Sequence, residues 1–178
     1  MLKEAVLPLA GLLAVLAGLT DWRWRRIPNW LTVPGVVLGI TANSLAWGRA
    51  GAKSSLEGLG LGLLLLLPLV VVRGIGAGDW KLVGAIGACL GPHELLVVLA
   101  GAVFIAGLMA IILVIYKRRF VQTMRNIGGL VIALLTGRPR DSAVSLDNPE
   151  ALKVPFGVAM SITVVLYVVV GLVVHIRL

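Results

Sequence analysis

Apolar stretches close to 20 residues long recur along this chain, and no other feature restricts its fold as strongly. A hydrocarbon core of roughly 30 Å is crossed by about 20 apolar residues in a helix. Backbone groups in lipid must be satisfied within the segment, so each stretch is expected to be helical. Six are read, at about 4–20, 30–47, 58–73, 81–91, 95–116 and 155–176. The expected class is all-α: a polytopic membrane protein, a six-helix transmembrane bundle. Soluble domains carry about a quarter charged residues. Here the share is 13%, so residues 1–178 read as a single integral-membrane domain with no sizeable soluble part.

Charge placement gives the topology. The first apolar segment is followed by Asp21-Trp22-Arg23-Trp24-Arg25-Arg26 and not by a small-residue cleavage site. It therefore reads as a retained span with its N-terminus outside. With six crossings, 12 of the 16 cations fall in the cytoplasmic loops, leaving Lys3, Arg49, Lys53 and Arg177 outside. The short fourth segment ends at Gly91-Pro92 and invites a re-entrant reading, but that would put only 6 cations inside against 10 outside. Six crossings fit the positive-inside rule better. The expected location is the cytoplasmic (inner) membrane, multi-pass, in contact with membrane lipids.

The last cytoplasmic loop carries a second kind of segment. Residues 120–136 are apolar but interrupted by Gln122, Arg125, Asn126 and a glycine pair. They predict an interfacial helix. Residues 137–151 are polar and rich in turn formers, hence a loop. Glycines at four-residue spacing, as at Gly58 and Gly62 or Gly87 and Gly91, let helix backbones approach closely in a bilayer.

A net charge of +8 is compatible with nucleic-acid binding, but the cations cluster in short loops between spans, so no nucleic-acid partner is expected. The single cysteine, Cys89, and the distant His93 and His175 offer no ligand spacing. No metal and no cofactor are indicated.

Eight acids exist, and in this topology only Asp21 and Asp79 abut apolar spans on the cytoplasmic side. A carboxylate at the membrane edge is costly and is a functional candidate by default. Two carboxylates that share a site cannot both ionise easily, so one retains a proton. One acid and one base suffice to activate water and hydrolyse a peptide bond. The stretch Gly74-Ile75-Gly76-Ala77-Gly78 before Asp79 would permit a break between helices and close approach of a substrate backbone. Lys81 would either snorkel to head groups or tune Asp79. A plainer alternative stays open, in which Asp21 and Asp79 are interfacial charges paired with Arg26 and Lys81. Another is a small transporter or channel with both aspartates as ion relays.

The stretch GAGDWKLVGAIGACLG, residues 76–91, resembles the GxGD motif of the type IV prepilin peptidases. DWRWRRIPNWLT, residues 21–32, is similar to that family's other aspartate motif, and KVPFG, residues 153–157, resembles the stretch that opens its last helix. The resemblance implies a membrane aspartic endopeptidase that removes leader peptides from prepilins or pseudopilins on the cytoplasmic side, in concert with pilus or secretion assembly proteins. Asp21 and Asp79 would be catalytic. Gly76 and Gly78 would shape the site, with Lys81, Pro28, Asn29 and Pro155 supporting it. The cysteine-bearing insertion of longer members is missing, so their methyltransferase activity is not implied. Val158 stands where the family commonly has a second proline.

Overall fold

The computed structural model describes residues 2–118, 120–136 and 154–176; the polar loop expected at 137–151 lies outside them. Among the described residues six helices follow one another: α1 (Leu2–Trp24), α2 (Asn29–Val71), α3 (Ala77–Leu90), α4 (Pro92–Lys117), α5 (Phe120–Thr136) and α6 (Phe156–Ile176). No strand occurs among the described residues. Four helices are long and apolar enough to cross a membrane: α1, α2, α4 and α6.

The main departure from the sequence reading is in α2. The segments expected at 30–47 and 58–73 belong to one 43-residue element, interrupted only at Gly48 (φ 59°, ψ −136°). The turn expected across 48–57 is confined to that residue. Positive φ is strained for residues with a Cβ, and a single glycine there reverses the chain. The reversal is visible in side-chain contacts, because Asn43 Nδ2 donates to Ser55 Oγ at 2.8 Å. A straight helix would hold these two residues about 18 Å apart.

Helix α3 fills the space between the two arms. The first arm runs parallel to it, with Lys81 bonded to Asn29 and Asn43 bonded to the carbonyls of Ala88 and Cys89. The second runs antiparallel, with Trp80 Nε1 donating to the Leu63 carbonyl and Ser55 Oγ to that of Ala88. Glycines set the distance: a Cβ at Gly58 would overlap the Gly87 carbonyl, and one at Gly87 would overlap that of Gly58. Leu82 through Cys89 are all buried. A helix apolar on every side belongs in the interior. With 14 residues, or about 21 Å of rise, α3 is too short to cross alone, and protein rather than lipid covers its sides.

Helices α1 and α6 lie antiparallel against this unit. A Cβ on Gly18 would sit 2.7 Å from Ser161, and one on Gly11 would meet Val168. Helix α4 packs on α6, where a Cβ on Gly101 would press on Thr163. The outward faces carry exposed Leu12, Leu64, Phe104, Ile112 and Val170, as a lipid-facing surface requires. Trp22, Trp24 and Trp30 are exposed beside Arg23, Arg25 and Arg26 at one end, the arrangement of an interfacial belt.

Candidate active site

Asp21 sits in the last turn of α1, one turn further inside the helix than the expected boundary at residue 20. After it Arg25 adopts a left-handed conformation (φ 53°), and its amide donates to the Asp21 carbonyl at 2.9 Å. The chain then turns through Ile27 and Pro28 into α2, where the Pro28 carbonyl accepts from Leu31 and Thr32. On the other side, α2 ends in a turn at Arg73 (φ 57°), Gly76 caps α3, and Asp79 lies in the first turn. Gly78 is already helical.

The glycines before Asp79 act differently from the expectation. The left-handed residue in the break is Arg73; Gly76 has φ −73°. Small size is what matters. A Cβ on Gly76 would lie 3.2 Å from Asp79 Oδ2, and one on Gly78 would press on Ile27 at 3.2 Å. Gly78 thus allows the strand of chain after α1 to lie against the start of α3, which brings the two aspartates to one place.

That place is a cavity of about 460 Å³ lined by both aspartates, with Gly76 and Gly78, Arg25 and Arg26, and Pro155 of the approach to α6. Asp21 is only 6% exposed, and its Oδ2 makes no hydrogen bond. The amides of Gly157 and Val158, in the first turn of α6, nonetheless lie near the carboxylate. A helix amino end favours negative charge. Burial, and then the neighbouring Asp21 carboxylate, push Asp79 up to about 7, against a hydrogen bond from the Gly76 backbone.

The supporting residues fall into two groups. Pro155 lines the cavity, and its carbonyl accepts from Val158 and Ala159 to start α6. Lys81 neither snorkels freely nor tunes Asp79. Its Nζ donates to Asn29 Oδ1 at 3.0 Å and ties the start of α2 to α3. The groups that act on Asp79 are burial, Asp21 and Gly76, without Lys81. The pairing of Lys81 with Asp79 in the plainer alternative is therefore replaced by the Asn29 bond. Pro28 borders a neighbouring pocket with Thr20, Trp24, Arg26 and Trp30.

Residues 8–113, more than half of the chain, match the type IV leader peptidase family. The chain belongs to that family. No curated protein and no solved structure matches it. The matched region of this type IV leader peptidase family member contains both aspartates but ends before α6.

Helix α6 supplies what the sequence reading missed. Gly157 belongs to the KVPFG stretch, in which the resemblance gives a supporting role to Pro155 alone. A Cβ on Gly157 would sit 2.9 Å from both Asp21 Cβ and Oδ2. Gly157→Ala is expected to displace the Asp21 carboxylate and lower the turnover of leader cleavage about 10- to 100-fold, the penalty that the catalytic role proposed below for Asp21 predicts. Michaelis–Menten kinetics on a leader peptide would check this, since the expected loss lies in kcat with KM little changed. A loss confined to KM would contradict it.

Proposed function

We propose that the chain is a GxGD-type aspartic endopeptidase that cleaves the leader peptide of prepilins or pseudopilins on the cytoplasmic side of the inner membrane. One observation carries the reading: Asp21 and Asp79 line one cavity at one end of the helices, and the Asp21 charge acts on Asp79. Coupled carboxylates titrate as a pair. Asp79 is pushed up to about 7, while the α6 amides offset part of the burial of Asp21, so the shared proton is assigned to Asp79.

In the reaction, Asp21 takes a proton from water as the water oxygen attacks the scissile carbonyl carbon. Asp79 gives its proton to the carbonyl oxygen. The tetrahedral diol then collapses, the C–N bond breaks, and the amine leaves with the proton held by Asp21, while the diol hydroxyl returns a proton to Asp79. The dyad ends as it began. Gly76 and Gly78 leave room for extended substrate backbone, while Lys81, Asn29, Pro28 and Pro155 hold the walls.

The topology accompanying this reading has six crossings in one unit of residues 1–178, the two arms of α2 crossing separately and α3 crossing inside the protein. Asp79 precedes the apolar part of α3 at 82–90. The Asp21 end also carries Arg23, Arg25, Arg26, Arg73 and Lys117, which favours the cytoplasmic side. Met124, Ile127, Val131 and Leu135 form an exposed apolar face on α5, suited to lying in the membrane surface. Prepilins or pseudopilins are the substrates, with pilus or secretion assembly proteins as further partners.

The test is cleavage of a prepilin by the purified chain in lipid, with product mass locating the cut bond and rates followed against pH. Cleavage at the leader junction is expected. The rate should fall about tenfold per pH unit once the Asp79 proton is lost, above about 7. Folded protein that cuts none of several prepilins, or a rate still rising through pH 9, would count against the mechanism.

A further inference from the structure

A second cavity, of about 500 Å³, lies at the other end of the helices. Its α1 residues, Val6 and Leu7, are about 21 Å along that helix from Asp21. The leader peptidase chemistry makes no use of it. We propose that this cavity binds a phospholipid whose head group carries a primary ammonium.

Five helices contribute to its wall. Its polar lining includes Glu94 in the first turn of α4, Tyr167 on α6, and Ser54 just beyond the hairpin of α2. Asn43 is also present, but its Nδ2 is engaged by Ser55 and the carbonyls of Ala88 and Cys89. A primary ammonium has three N–H donors, and the Glu94 carboxylate, the Tyr167 hydroxyl and the Ser54 hydroxyl are three acceptors. A quaternary ammonium has no donor to satisfy them. Trp47 borders the same space and offers a ring face to a cation.

The remainder of the lipid also finds matching chemistry. Val6, Leu7 and Leu90 give the cavity an apolar wall for the acyl chains. Arg49 is exposed on the hairpin, next to the lining residue Ala50 and two residues from Trp47, and supplies a cation for the lipid phosphate. Lys53 is exposed one turn on and lies 3.7 Å from Glu57. The groups near Glu94 include His93, whose Nδ1 is 3.8 Å away on an exposed ring.

A ligand bound by the folded state raises the unfolding temperature by mass action. The full chain in detergent would be titrated with phosphatidylethanolamine, phosphatidylcholine, phosphatidylglycerol and water-soluble glycerophosphoethanolamine while thermal unfolding is recorded. Phosphatidylethanolamine is expected to raise Tm saturably, by about 5–10 °C at a hundredfold excess over Kd, and the others by much less. Glu94→Gln should remove the difference between lipids while leaving leader cleavage unchanged, which keeps this result separate from the peptidase reading. Tyr167→Phe provides a second variant and should weaken the preference in the same direction. Equal stabilisation by phosphatidylcholine or phosphatidylglycerol, an undiminished preference in both variants, or equal stabilisation by glycerophosphoethanolamine would overturn the proposal.

Discussion

Asp79→Asn is expected to abolish leader cleavage, by about a thousandfold or more, while the protein gains stability. In the proposed mechanism the loss follows because an amide can neither hold nor return the shared proton, and acid–base catalysis of this kind contributes about 10²- to 10⁴-fold. The gain follows from linkage. Asp79 has an ordinary value of 3.8 and is held at about 7 in the folded chain. Between those values the folded state binds a proton that the unfolded state has released, so stability falls as pH rises through that window. Asparagine carries no charge to bury. The Tm advantage of Asp79→Asn should therefore be small near pH 4, widen towards pH 7 and stay constant above it.

Asp21→Asn should lose cleavage equally but gain less stability, because the amides of Gly157 and Val158 face that carboxylate and offset part of the cost of burying its charge. Cleavage assays and thermal unfolding of both variants from pH 4 to 9 would check the contrast. Retained cleavage in either variant would remove the dyad. Retained folding with altered ion flux in liposomes and no effect on cleavage would favour the transporter alternative.

Gly87→Leu is expected to prevent the protein from folding. The Gly87 position faces the Gly58 backbone, and an added Cβ would also stand 2.9 Å from Leu95 Cδ2. A side chain in such a place can rotate away, but a carbonyl inside a helix moves only if the helix moves. Overpacking of a close-packed interior typically costs about 1–3 kcal/mol, and a backbone collision belongs at or beyond the upper end. The α2–α3 unit also carries the Asn43–Ser55–Ala88 bonds, which would part with it. Gly60 makes a clean comparison, since it lies on the same arm of α2 and its Cβ would meet nothing within 4 Å. Gly60→Leu should run as a monodisperse peak in detergent with a near-native Tm, whereas Gly87→Leu aggregates or is degraded and Gly87→Ala shows a lowered Tm. Equal behaviour of Gly60→Ala and Gly87→Ala would mean that the close approach does not govern stability.

The helices were legible in the sequence because lipid leaves the backbone few options. Apolar length alone located α1, α4 and α6 to within a few residues, and the amphipathic pattern at 120–136 located α5. The hairpin of α2 was not legible in detail. A ten-residue gap between apolar segments reads as a loop, and only the contacts between Asn43 and Ser55 reveal that the gap is helical and the reversal confined to Gly48. The fourth segment was recognised as anomalously short, but its central position needed the arms of α2 around it.

At the site, residue type and order in the sequence singled out Asp21 and Asp79. Each is a charge in a chain that can afford few, and charge asymmetry put both at one side. Their juxtaposition was decided by tertiary structure, through Gly78 against Ile27 and through the left-handed Arg25 and Arg73. Nothing in a one-dimensional pattern marks an arginine for positive φ, because the neighbours impose it. Gly157 was equally hidden as a contact, since its importance lies in an approach to a residue 136 positions away. The sequence by itself determined membrane residence, helical class and the scarce carboxylates, because the bilayer penalises unsatisfied backbone and charge locally. The tertiary structure alone decided the hairpin, the burial of α3 and the shared cavity, because those depend on how closely one backbone can approach another.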